Sequence, residues 1–205
     1  MNYEIKDKNT TYIDDEVIIG EGTIIYPNVT IRGKTIIGRN NIIESNTTIM
    51  DCVIGDNNLI ISSYLKETNI GNNNSIGPFS HTRNNTVIGN NNKVGNFVEL
   101  KQSTIKDNNK ISHLSYIGNT KMENNVNFSG GAITANFDWR TKEHNNIYIG
   151  SNVLIGINSV LVAPIKISKN SFIAAGSVIS KDVNEGELAI ARAREERKEN
   201  YIKGE

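Results

Sequence analysis

The chain has 205 residues, and its 22 Lys plus Arg balance 22 Asp plus Glu, so no basic field exists to draw nucleic acid or an anionic membrane. No stretch approaches the roughly 18 apolar residues of a membrane helix, and the opening MNYEIKDKNTTYIDD lacks a signal-peptide core. One cysteine, Cys52, excludes an internal disulfide, and a cytoplasmic protein is expected.

The first coherent signal is a repeat. Ile19, Ile25, Ile31, Ile37, Ile43 and Ile49 recur every six residues. Four positions after many such residues stands a small or β-branched one, as at Thr23, Val29, Thr35, Thr47 and Val53, and both kinds are expected to point inward. Gly often follows the aliphatic directly, as at Gly20 and Gly38. A six-residue period matches neither an α-helix nor plain strand alternation. It matches a short strand and a corner, with Asn and Gly supplying positive φ. Three units then close a triangular coil, and coils stack at roughly 4.8 Å.

Through the middle the inward slots run Ile54, Ile60, Leu65, Ile70, Ile76, Thr82, Ile88, Val94 and Leu100, then Ile105, Ile111, Ile117, Met122 and Phe128. The pattern fails between about Thr134 and Asn146, where Trp139, Arg140, Lys142, Glu143 and His144 crowd together, and a loop is expected. It resumes at Ile149, Ile155, Leu161, Ile167, Ile173 and Ile179. After Val183 the repeat stops. Glu187–Tyr201 predicts a charged helix that caps the open end. The expected division is a parallel β-helix over 1–183 and a helical arm over 184–205. Periodicity does not give the handedness.

A rod filled with aliphatic side chains has no interior site. Chemistry must sit on outward positions, in the loop, or between subunits, and a flat face needs a second wall. A homo-oligomer is therefore expected. Residues at equal offset, three slots apart, lie on adjacent coils. Arg83 follows slot Thr82 and Lys101 follows slot Leu100, so they emerge side by side. Spacing alone leaves them as an anion site or as two splayed surface cations. Glu99 and Tyr116 are related in the same way. His113 stands beside Gly130, which leaves room against the ring. An outward histidine is either inert or a base working near neutral pH. His81, His113 and His144 lack tight ligand spacing, so no metal is expected. Cys52 is expected to be structural.

The segments GPFSHTRNNTVIG, KVGNFVELKQSTI, HLSYIGN, NVNFSGGAITANFDW, VLVAP and ELAIAR occur in that order. Together they resemble the acetyltransferase half of the bifunctional glucosamine-1-phosphate acetyltransferase / N-acetylglucosamine-1-phosphate uridylyltransferase. The resemblance is specific over Gly77–Arg192 and generic before it. It implies a left-handed β-helix, a homotrimer, and acetyl transfer from acetyl-CoA to the 2-amine of glucosamine 1-phosphate. It implies His113 as general base and Glu99 as an orienting or polarising group. Arg83 and Lys101 match sugar-phosphate cations, Tyr116 and Asn127 match sugar contacts, and Lys142 matches a loop lysine. Gly130, Asn136, Phe137, Ile157, Ala175 and Arg192 fall on coenzyme A positions.

The departures cluster on the donor side. Ser129-Gly130-Gly131 stands for Gly-Ala-Gly, Asn136-Phe137 for Asn-Tyr, Asp138-Trp139 for Asp-Gly, and Ile157 for a serine. The stretch after Lys142 is about two residues longer than in the family. The resemblance covers no uridylyltransferase, so a separate one is an expected partner. The leading expectation is an amino-sugar-phosphate N-acetyltransferase feeding UDP-N-acetylglucosamine synthesis. The alternatives are an acyltransferase for another amino sugar, or a non-catalytic subunit regulating a separate nucleotidyltransferase.

Overall fold

A computed structural model describes residues 2–199 of the protein. Each repeat unit becomes a strand of two to four residues followed by a corner. The strands sort into three sheets of eleven, ten and nine members. Every pairing between coils is parallel, as from Glu4–Ile5 to Ile24–Ile25. The first face starts at Glu4–Ile5, the second at Tyr12–Ile13 and the third at Ile18–Ile19. The chain visits them in rotation, which makes a three-sided parallel β-helix. Among the described residues no helix is long and apolar enough to cross a membrane.

The expected slots point inward. On the first face Ile43, Ile60, Ile76, Val94, Ile111 and Phe128 stack in one buried column. Burying one such side chain is worth about 1.5–3 kcal/mol. The second inward residue of each unit is tied to the slot that follows it, two positions later. Five-residue steps expose this rule. Between Ile49 and Ile54 the inward residue is Cys52, fully buried, whereas Val53, expected inside, is 47% exposed. Burial pushes the Cys52 thiol up to about 11, which keeps it an unreactive filler.

Asparagine does more than turn corners. Asn41, Asn58, Asn74, Asn92 and Asn109 form a buried ladder inside the third corner, between the third and first faces. The backbone N–H groups of Asn58, Asn74, Asn92 and Asn109 each donate at 2.8 Å to the amide oxygen one coil before. The side-chain amides of Asn41, Asn58 and Asn74 donate to the Gly55, Gly71 and Gly89 carbonyls. Those glycines cannot carry a Cβ, which would fall 2.3 to 2.6 Å from atoms of the next coil. A second ladder runs outside the same corner. There the side-chain oxygens of Asp56, Asn72, Asn90 and Asp107 accept from Arg39, Asp56, Asn72 and Asn90 backbone N–H groups.

Two expectations are corrected. The loop is shorter than Thr134–Asn146. Thr134 is a buried slot in strand Ile133–Ala135, and the excursion is a hairpin pairing Phe137–Asp138 with Glu143–His144. Ile147 is again buried. The C-terminal helix is absent over its described part. Val183 bridges Ile167, and Leu188–Ala189 adds a strand beside Phe172–Ile173. Residues 190–199 are irregular and largely exposed. Leu188 and Ala189 continue the repeat by one unit, and RAREERKE after them has no apolar stripe to bury. A short unpacked helix is marginal in water. Asn200 and Tyr201, and the rest of the expected arm to Glu205, lie outside the described residues.

The inner ladder yields a stability prediction. Asn74→Ala strips partners from Asn58, Gly89 and Asn92 and should cost about 3 kcal/mol. Asn109 already holds a buried amide nitrogen with no partner. Asn109→Ala should therefore cost less than Asn74→Ala, as read from guanidinium unfolding midpoints of the two variants.

Candidate functional site

Outward residues of the second face stand in two columns. One runs His81, Glu99, Tyr116, Ile133, Val160 and Val178. The other includes Arg83, Lys101 and Gly118. The expected Arg83–Lys101 and Glu99–Tyr116 neighbours are direct register partners. The face thus changes character along the rod. It is charged and polar through Tyr116, then apolar from Ile133 onward.

In the charged half, Arg83 is clamped by Glu99. Its Nε donates to Glu99 Oε1 at 2.7 Å, and Nη2 lies 2.7 Å from the same oxygen. Both side chains are about two-thirds covered, at 31% and 34% exposure, so the pair is sheltered but not sealed. Glu99 thereby fixes the guanidinium plane, and Nη1 lies 3.4 Å from Asn84 Oδ1. Burial pushes the Tyr116 hydroxyl above its ordinary range, and the Glu99 charge adds to this. Burial also holds His81, beside Glu99, below the ordinary histidine range.

The hairpin leans on this half. Lys101 Nζ lies 3.4 Å from His144 Nε2, and the His144 ring sits 5.1 Å from that of Phe137. Arg140 grips Asp138 at 2.9 Å and holds its carboxyl down at about 2. Lys142 lies at the hairpin turn with φ of 61°, its Nζ 5.5 Å from the Trp139 ring centre.

His113 closes strand Lys110–His113, at the first corner, where the first face meets the second. Its Nδ1 is 2.9 Å from Asn96 Oδ1, its register partner one coil earlier. An amide oxygen accepts only, so Nδ1 is the donor in this contact, and in the neutral imidazole the lone pair is then on Nε2. Gly130 lies one coil later, where a Cβ would sit 3.4 Å from His113 Cβ. Ile157 and Ala175 continue the same corner, as the bonds Asn158 N–H to Gly130 O and Gly176 N–H to Ile157 O show. Arg192 is exposed just past the last strand.

The remaining residues are dispersed. Asn127 is on the first face, paired with Lys110. Asn136 and Phe137 are at the second corner, the far edge of the second face from Gly130. Asn136 is buried, and its amide nitrogen donates to Asn119 Oδ1 at 2.7 Å. In one chain the residues matched to the donor therefore occupy two opposite edges. Two contributors escaped the sequence reading, Asn96 and the contact of His144 with Lys101. Asn96 follows slot Val94 by two positions, as His113 follows Ile111, so the register rule could have found it. The hairpin fold over Lys101 had no such signal. Among the described residues no three His, Cys, Asp or Glu side chains group as a metal site would require.

Gly118 is needed for its missing side chain. A Cβ there would meet Tyr116 Oη at 2.5 Å and Asn136 Nδ2 at 2.7 Å. Gly118→Ala should cost about 1–3 kcal/mol by overpacking. Thermal unfolding of the double variant with Tyr116→Ala should recover part of that loss, through coupling of neighbours.

Two family models match parts of this chain. The family model for the GMPPB C-terminal domain matches residues 7–119, and the bacterial transferase hexapeptide model matches residues 146–181. The bifunctional protein GlmU of Caldanaerobacter subterraneus is 47% identical over 97% of this chain and 43% of its own length. GlmU of Clostridium kluyveri is 46% identical over 96% and 42%. The chain thus spans less than half the length of these relatives. Among solved structures, the UDP-N-acetylglucosamine acyltransferase of Francisella novicida is 22% identical over 91% of this chain and 66% of that one, at a TM-score of 0.48. The chain belongs to the family of the GMPPB C-terminal domain, and along nearly all of its length it is similar to part of GlmU.

Proposed function

We propose that the protein is an N-acetyltransferase that moves acetyl from acetyl-CoA to the 2-amine of glucosamine 1-phosphate, in the cytoplasm. The observation that carries the reading is His113. Its Nδ1 faces Asn96 Oδ1, and it stands at the corner bordering the charged half of the second face, with the Gly130 gap one coil on. The sugar phosphate would lie on the second face, its dianion against Lys101 and the Arg83 guanidinium, with Lys142 reaching from the hairpin. Tyr116, and Asn127 of a neighbouring chain or coil, would hold the sugar hydroxyls. Glu99 positions Arg83. The thioester would run along the Gly130, Ile157 and Ala175 corner toward Arg192, meeting Asn136 and Phe137.

The chemistry needs no covalent enzyme intermediate. The sugar amine attacks the thioester carbonyl while His113 Nε2 takes its proton. The new N–C bond forms, the C–S bond breaks, and the departing thiolate is protonated. Incubation with acetyl-CoA and glucosamine 1-phosphate should release thiol. His113→Ala should lower kcat by about 10²–10⁴-fold. Asn96→Leu should lower it by about 10²-fold and reshape the pH–rate profile, while Asn96→Asp, which still accepts from Nδ1, should retain activity. Full activity in His113→Ala would remove the assignment.

We further propose a homotrimer whose neighbouring chains bring the two donor edges together. Phe79, Phe97 and Leu114 support this. They follow one another at the first corner with φ of 57°, 56° and 45°, and are 60%, 54% and 63% exposed. The two phenyl rings stack at 5.3 Å. Bulky residues are costly in the left-handed region, by about 1 kcal/mol each, and asparagine fills most such corners here. A strained, exposed apolar ridge beside His113 fits a subunit contact. Phe97→Asn relieves the strain yet should shift the protein from trimer to monomer in analytical ultracentrifugation. An unchanged trimer would count against this interface.

A further inference from the structure

Beside the base, the surface has room at Gly130 for a side chain that glycine does not carry. The direction a Gly130 side chain would take meets nothing but His113, at 3.4 Å to its Cβ and 3.7 Å to its backbone oxygen. The notch is walled by the base on one side. On the other, one coil along the same corner, stands Ile157, 56% exposed. The adjoining half of the second face is apolar as well. Ile133 and Val160 are register partners, and Ile133 is exposed. A gap beside the base, floored by glycine and with the exposed aliphatic Ile157 one coil on, has the His113 backbone oxygen as the one polar atom that a Gly130 side chain would meet within 4 Å. It suits hydrocarbon.

We propose that Gly130 and Ile157 form an acyl subsite that admits thioester donors longer than acetyl, with a chain of three or four carbons. The proposal rests on the acyltransferase reading above and specifies its donor class. The reaction is unchanged in its balance. The amine nitrogen bonds to the acyl carbonyl carbon, the C–S bond breaks, His113 accepts the amine proton, and coenzyme A leaves as the thiol. Only the alkyl tail differs, and it points into the notch.

Gly130 is not in the positive-φ region, so alanine fits its backbone, and the added methyl would fill the notch at ordinary contact distance. The test is donor competition with acetyl-, propionyl- and butyryl-CoA, glucosamine 1-phosphate as acceptor, and thiol release as the readout. The native protein should use butyryl-CoA with kcat/KM within about tenfold of acetyl-CoA, less than one rejected methylene can cost. Gly130→Ala should lower the butyryl-to-acetyl ratio by at least about threefold, and Ile157→Ser should move the ratio the same way. Discrimination above tenfold in the native protein, or a ratio that Gly130→Ala leaves within threefold, overturns the proposal. Circular dichroism of the variant separates misfolding from selectivity, and the native donor ratio decides the matter if the variant does not fold. No thiol release from any donor would instead mean that the acyltransferase reading itself had failed, which acetyl-CoA alone reveals.

Discussion

Everything in this molecule depends on the parallel hydrogen-bond register between successive coils. Each strand contributes only two to four residues, far too few to be stable alone. It is held by the coil before and the coil after, and so each position acquires fixed neighbours. Aliphatic slots such as Ile76, Val94 and Ile111 stack on one another inside, and the polar positions stack outside. Register therefore converts a one-dimensional repeat into a surface whose columns can be enumerated. Arg83 beside Lys101, and Asn96 beside His113, are consequences of that conversion.

The third corner shows how the register is reinforced. Close approach of successive coils is possible there because glycine follows each of the third-face slots Ile37, Ile54, Ile70 and Ile88. Closeness brings carbonyls within reach of the buried asparagine amides. A buried amide is costly unless bonded, so a ladder slipped by one position would strand every member. The outer ladder repeats the device with backbone N–H donors. Asparagine abundance thus has three physical sources: corners with positive φ, the inner ladder and the outer one.

The first corner is built differently, and the site gathers on it. Phe79, Phe97 and Leu114 stand where asparagine is usual, and glycine opens a gap under His113. Strain and missing bulk concentrate at one edge, next to an imidazole whose Nδ1 lies 2.9 Å from Asn96 Oδ1. The second face then divides at Tyr116 into a charged half and an apolar half. A polar acceptor and a thioester donor would each find a matching surface, with His113 at the boundary.

Residue order alone was enough for the three-sided rod, the buried slots from Ile25 to Ile179, and the adjacency of Arg83 with Lys101 and of His113 with Gly130. It was enough because a six-residue period and a parallel register leave one three-sided arrangement apart from its hand. It misled at Val53 and at the end of the chain, because a five-residue step moves the inward position, and because charge patterning in the last residues imitates a helix. Handedness came only with the family resemblance, since periodicity is blind to it. What the side chains do once placed was settled by folding. Glu99 clamps Arg83, the hairpin folds so that His144 meets Lys101, and Asn136 is buried against Asn119. These contacts depend on rotamers and on a loop outside the repeat, and neither is governed by the period.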